Sequence, residues 1–147
     1  MHEVIENAVN SKRFAAQEKG GDVELQLKAS NPQFIGDRIH LTNVIINLLD
    51  NAIKYNLKPP KIVVNTVNNG SSLLIRVQDN GIGISASNQK KIFDKLYRVP
   101  TGNVHNFKGF GLGLNYVKAT TEMHKGMVIV DSELGKGSTF TIKLPNN

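Results

Sequence analysis

Apolar residues along the chain follow two periods, and each change of period marks the end of an element. Val4, Ile5, Ala8, Val9 and Ala16 recur at amphipathic spacing and predict a helix over residues 2–18. The pair Gly20-Gly21 stops it. Val23, Leu25 and Leu27 then alternate with polar residues, as a half-buried strand does. A short extended piece from Gln33 to Gly36 leads to Asp37, a cap for the strongest predicted helix, 38–56, which Pro59-Pro60 ends. Two strands follow at 61–68 and 72–79, turned by Asn68-Asn69-Gly70. Next come a glycine-punctuated turn, a short helix near 87–93, an aperiodic loop 94–109 and a helix 112–124. Strands 126–132 and 138–144 turn at Gly135-Lys136-Gly137. Hairpins mixed with helices, without regular βαβ alternation, predict an α+β fold with one layer of helices on one face of a mixed sheet.

Winding residues 38–56 at about 100° per residue separates two surfaces. Leu41, Val44, Ile45, Leu48, Leu49 and Ala52 cover one broad side, and Ile46 and Ile53 form a second apolar strip. Between them runs a narrow polar stripe of His40, Asn43, Asn47, Asp50, Asn51 and Lys54. A helix this apolar is expected to be largely buried, so amides and a lysine on its polar edge need partners. Asparagine is a middling helix former, and a plain solvent face carries Glu, Lys or Ala more cheaply. Amide carbonyls are neutral oxygen ligands that suit Mg²⁺ shared with phosphate, and Lys54, one turn from Asn51, can reach a phosphate as a point charge.

Composition narrows the class without naming the chemistry. The 147 residues carry 39% hydrophobic and 20% charged side chains, an ordinary globular balance in a chain long enough for one domain over residues 1–147. The absence of cysteine excludes disulfides and thiolate metal sites, and no apolar run reaches the length of a membrane span. The net charge of +6 points to an anionic partner. Much of it falls between Lys90 and Lys108, where Lys90, Lys91, Lys95, Arg98 and Lys108 face only Asp94. A local cationic loop suits a small polyanion, although solvated surface charge gives the same count. No basic face interleaved with aromatics appears, which argues against nucleic acid.

Two glycine motifs sharpen this. The strand 72–79 runs into Asp79-Asn80-Gly81-Ile82-Gly83-Ile84, which sets one carboxylate at a pocket floor where backbone can approach closely. Such a carboxylate accepts from the exocyclic amine of adenine and mismatches the guanine carbonyl; Asp-Asn-Gly is equally common turn chemistry. Gly109-Phe110-Gly111-Leu112-Gly113-Leu114 opens the helix 112–124, where free N–H groups favour phosphate. A long basic loop rather than a strand precedes it, so it is not a Rossmann fingerprint, and there is no Walker A sequence. The loop 94–108, with Gly102 and Gly109 as hinges, reads as a lid over phosphates.

In this order the motifs resemble the catalytic domain of histidine kinases, in the wider family that includes gyrase, Hsp90 and MutL. Asn47-Leu-Leu-Asp-Asn51-Ala-Ile-Lys54-Tyr55 matches the N box and Asp79-Asn-Gly81-Ile-Gly83-Ile the G1 box. Lys91-Ile-Phe93-Asp-Lys-Leu-Tyr97-Arg98 matches the F box, with Leu96 where a second aromatic is frequent. Gly109-Phe-Gly111-Leu-Gly113 matches the G2 box and Gly135-Lys-Gly137-Ser138-Thr-Phe140 the G3 box.

The resemblance implies a two-layer α/β sandwich of the Bergerat type, with a mixed, mainly antiparallel sheet and ATP held between the helix layer and the lid. It implies Mg²⁺ on Asn51 assisted by Asn47, Lys54 and Tyr55 near phosphates or sugar, and Asp79 on the adenine amine. Gly81 and Gly83 would shape the base pocket, and Ser138 would reach adenine through water. Gly111 and Gly113 would let the lid approach the phosphates. Ile84, Phe93, Tyr97, Lys108, Gly109, Leu112 and Leu114 complete the nucleotide-contacting set, and Lys54 and Arg98 carry catalysis. The implied reaction passes the γ-phosphoryl of ATP to a histidine on a separate dimerisation domain, with a response regulator downstream. The implied setting is the cytoplasmic part of a membrane-anchored bacterial sensor kinase, with this segment monomeric and inactive alone. Asn47 stands where ATP-hydrolysing relatives carry a glutamate that activates water, and an amide cannot act as that base. Of His2, His40, His105 and His124, only His2-Glu3 superficially resembles a phosphoacceptor motif, with too little chain before it for a helical hairpin. All four are expected to be ordinary surface or core histidines. A non-catalytic nucleotide sensor and a stand-alone kinase or ATPase of the same fold are the alternatives.

Overall fold

The computed structural model describes residues 1–99 and 112–146. Helix α1 spans His2–Glu18, followed by β1, Asp22–Leu27, and α2, Arg38–Lys54. The hairpin β2, Lys61–Asn69, and β3, Ser72–Gln78, leads to the one-turn α3, Ala86–Gln89. Helix α4, Gly113–Met123, precedes the hairpin β4, Met127–Glu133, and β5, Gly137–Pro145.

The strands form one five-stranded sheet in the order β1-β2-β3-β5-β4. Strand β1 runs parallel to β2, and every other pair is antiparallel. The parallel pair requires a crossover, which α2 supplies. Register brings the apolar positions into rows: Val23 opposite Ile62, Val64 opposite Val77, Ile75 opposite Ile142, and Phe140 opposite Val130. Because side chains alternate across a strand, these rows share one face, and α2 lies against it between α1 and α4.

Leu41, Val44, Ile45, Leu48, Leu49, Ala52 and Ile53 of α2 are all buried, as the winding of that helix predicts, while Ile46 is half-buried at the margin. Asp37 caps α2, its carboxylate accepting from the His40 N–H at 2.9 Å. Gly20 takes φ +75° after α1, a backbone conformation that costs glycine nothing.

Two expectations shift. Strand β2 extends to Asn69, so the tight turn is Gly70-Ser71 rather than Asn68-Asn69-Gly70. The helix expected at 87–93 stops at Gln89. The apolar Ile92 and Phe93 beyond it fit a tertiary contact instead, with Ile92 buried and Phe93 edge-on to Phe140 at 6.3 Å between ring centroids.

Candidate functional site

The segment after β3 is tied to three elements. The Asp79 N–H donates to the Ser138 carbonyl at 2.9 Å, keeping the chain against β5 as it leaves the sheet. The Ile82 N–H donates to the Tyr55 carbonyl at the end of α2, 3.0 Å away. The Ile82 carbonyl accepts from Gly135 N–H at 2.8 Å in the β4–β5 turn. Ser132 Oγ accepts from Ile84 N–H and donates to the Gly137 carbonyl, each at 2.8 Å. Close approach here demands glycine: a Cβ on Gly81 would strike the Tyr55 carbonyl, and one on Gly83, at φ +73°, would strike the Glu133 carbonyl. Asn80 braces the outside, its Oδ1 accepting from Asn56 Nδ2 at 2.7 Å and Lys61 N–H at 2.8 Å.

Asp79 is thereby fixed. Its Oδ1 accepts from Gly81 N–H at 2.8 Å and Ser138 N–H at 3.2 Å, and its Oδ2 takes no hydrogen bond from the described residues. Burial pushes the Asp79 carboxyl above its ordinary pKa, against the two N–H groups that pull it down.

Between this segment, the polar edge of α2 and the start of α4 lies a cavity of about 310 Å³. Asp79, Ser138 and Phe140 line it from the sheet, with Ile82, Gly83 and Ile84 from the G1 segment. Asn47, Asp50, Asn51, Lys54 and Tyr55 line it from α2, Leu112, Gly113 and Leu114 from α4, and Ile92, Tyr97, Arg98 and Val99 from the segment after α3. The Asn47 amide nitrogen donates to the Asn43 carbonyl at 2.8 Å. Its Oδ1 faces Gly113 so closely that a Cβ there would sit 2.8 Å from it. Two amides on one helix edge are hard, neutral oxygen donors, and their chemistry fits a Mg²⁺ ion that keeps waters and phosphate oxygens in its shell. Among the described residues no cluster of three or more His, Cys, Asp or Glu could hold a metal by itself. Burial, and then the neighbouring Arg98 guanidinium, lower the Lys54 ammonium pKa, while Asp50 raises it.

The cavity therefore gathers Asn47, Asn51, Lys54, Tyr55, Asp79, Gly83, Ile84, Tyr97, Arg98, Leu112, Gly113, Leu114 and Ser138 from the sequence-based set. Gly81 and Phe93 stand behind the wall, the first bonded to Asp79 and the second packed on Phe140. Lys108, Gly109 and Gly111, with Gly102, lie outside the described residues. Asp50, Ile82, Ile92, Val99 and Phe140 also line the cavity; Asp50, Ile82, Ile92 and Phe140 sit inside the quoted boxes, which was the available signal. Ser132 carries no signal in the sequence, because its role is a hydrogen bond across the β4–β5 turn. His2, His40 and His124 line no part of the cavity. They bond instead to Thr66 Oγ1 at 2.9 Å, the Tyr116 hydroxyl at 2.7 Å and the Thr120 carbonyl at 2.8 Å. His105 lies outside the described residues.

Known proteins share this chain's sequence and fold. Residues 36–147 match the family described as histidine kinase-, DNA gyrase B-, and HSP90-like ATPase. Sensor protein RprX of Bacteroides fragilis is 47% identical over 98% of this chain, which spans 28% of that protein. Sensor histidine kinase RcsC of Escherichia coli is 44% identical over 75% of the chain, covering 12% of its own length. The chain thus corresponds to less than a third of either relative. Among solved structures, the mycobacterial sensor histidine kinase MprB superposes with a TM-score of 0.82 at 26% identity, over 99% of this chain and 93% of that one. Full-length ShkA in complex with AMPPNP shares the fold, with a TM-score of 0.84 at 23% identity over 97% of this chain and 29% of that one. Among the described residues no helix is long and apolar enough to cross a membrane. With its fold, its ordered motifs and its sequence all in accord, the chain belongs to the histidine kinase-, DNA gyrase B- and HSP90-like ATPase family.

Proposed function

We propose that this chain is the catalytic module of a two-component sensor histidine kinase. It binds Mg·ATP in the cavity and donates the γ-phosphoryl group to a histidine on a dimerisation domain of the same parent protein. The observation that carries this reading is that one cavity joins a fixed carboxylate, Asp79, to the amide and lysine edge of α2. A ligand spanning the two would need an amine donor at one end and a hard anion at the other, which describes ATP.

In this reading Asp79 Oδ2 accepts from the adenine amine while Oδ1 stays committed to Gly81 and Ser138. Ile82, Ile84 and Phe140 give the base apolar surface. Asn51 and Asn47 hold Mg²⁺, which supplies charge neutralisation on the transferring phosphoryl group when bound. Lys54 and Arg98 face the same phosphates as side-chain cations. Asn47 puts an amide where a carboxylate base would activate water, so the nucleotide is held for an acceptor imidazole instead. A response regulator would take the phosphoryl group onward, with the module in the cytoplasm of a membrane-anchored parent.

Isothermal titration with ATP in Mg²⁺ tests this. We expect saturable binding that weakens about tenfold or more in Asn51→Ala. Undiminished affinity in that variant removes the magnesium assignment, and no binding by the parent removes the proposal.

A further inference from the structure

We propose that Lys12, on α1, is a positioning residue for the nucleotide site: by holding the Asp50 carboxylate it keeps the Lys54 ammonium available to phosphate. The proposal rests on the reading above in which Lys54 faces phosphate. Asp50 and Lys54 both line the cavity and lie four residues apart on α2. With the acid on the N-terminal side, this is the favoured arrangement for an intrahelical ion pair. The pair formed is a different one. Lys12 Nζ lies 2.7 Å from Asp50 Oδ1, and Lys54 Nζ stands 5.2 Å from the centroid of the Tyr55 ring.

The geometry of α1 sustains this choice. Lys19, two turns beyond Lys12, donates from Nζ to the Ile53 carbonyl at 3.0 Å, so α1 grips the same edge of α2 at two points. The buried Ile5, Ala8, Val9 and Ala16 fix the helix against the core. Lys12 lies outside the segment matched to the family and outside the cavity lining, so it acts through Asp50 rather than by touching a ligand. Its loss would have two effects in the same direction. An unneutralised carboxylate would face a polyphosphate, and Asp50 would recruit Lys54, its ready partner one turn on.

Substitution Lys12→Met keeps an aliphatic side chain of similar length while deleting the charge. Titration with Mg·ATP should show about fivefold weaker binding in Lys12→Met, the range of one partly exposed ion pair. Lys12→Met/Asp50→Asn should bind within about twofold of the parent, because a neutral amide at position 50 neither repels phosphate nor holds Lys54. A merely structural role for the bridge would lower the melting temperature of Lys12→Met and leave the Mg·ATP affinity of the folded protein unchanged, so both are measured. Unchanged or tighter binding in Lys12→Met, or a double variant no better than the single, overturns the proposal. Lys54→Ala separates the levels. If it weakens ATP binding while Lys12→Met does not, the positioning role alone falls. If it leaves binding unchanged, the phosphate reading of Lys54 falls and this proposal with it.

Discussion

Asp79 accepts from Gly81 and Ser138 with one oxygen, while the other takes no hydrogen bond from the described residues, and burial sets a cost on its charge. Its pKa is raised in the fold chiefly by burial. Between the unfolded and folded values the native state holds the extra proton, so stability falls as pH rises through that window. Above it the ionised carboxylate carries its full desolvation cost, which the Gly81 and Ser138 N–H groups offset in part. Asp79→Asn removes the charge, and its carbonyl oxygen can still accept from Gly81 and Ser138. We therefore expect a ligand-free melting temperature at pH 7 equal to or above that of the parent, measured by scanning calorimetry. ATP binding should fall about tenfold or more, since an amine would then face an amine. A clear loss of stability, or undiminished ATP affinity, would contradict this division of labour. Asp79 stands out in the sequence because it lies just beyond a strand and before two spaced glycines. The splitting of its two oxygens does not, because the Ser138 N–H comes from 59 residues away.

At the scale of elements, legibility followed locality. Helix α2 and the closing strands were readable because caps, prolines and periods are written within a few residues. The strand order was not, since neither the parallel β1–β2 pair nor the insertion of β5 between β3 and β4 leaves a local trace. Helix α3 ends at Gln89, short of the apolar residues that follow, for the same reason: Ile92 and Phe93 carry apolar character for the packed core and not for helix period. The glycines of the G1 segment show how elements are locked together. Gly83→Ala would place a Cβ against the Glu133 carbonyl at a positive φ, so neither side-chain rotation nor a small loop shift relieves it. We expect a loss of about 2 kcal/mol or more, seen as a melting temperature lower by about 5 °C, with ATP affinity reduced because Ile82 and Ile84 move with the loop. The Asp37 cap offers a second check. Its pKa is depressed, first by the N–H of His40. Its contribution is therefore present above the unfolded value and lost as pH falls through the folded one. Asp37→Ala should lower the melting temperature at pH 7 and narrow its difference from the parent in acid, and a difference independent of pH would count against the cap.

For the whole molecule, the question is where the phosphoryl group goes. The histidines of the described residues are engaged in structure: His2 with Thr66, His40 with Tyr116, and His124 with both the Thr120 carbonyl and the Asp37 N–H. None lines the cavity, so none can meet a γ-phosphate there without leaving its partners. On the site's side, Asn47 directs its amide nitrogen to its own helix backbone and offers no base to water. Among the described residues the cavity is lined by no imidazole, and residue 47 presents an amide, so under the proposed function we expect a chain that binds ATP to hold it unspent. Incubation with γ-labelled ATP and Mg²⁺ should leave no acid-labile phosphate on this chain and release inorganic phosphate slowly. Adding a dimerisation domain that carries an acceptor histidine in a helical hairpin should transfer label to that domain, and the transfer should disappear in Asn51→Ala. Robust self-labelling would relocate the acceptor to this chain. Rapid hydrolysis without the added domain would mean that a group other than residue 47 activates water, and the module would then read as an ATPase rather than a kinase waiting for its substrate.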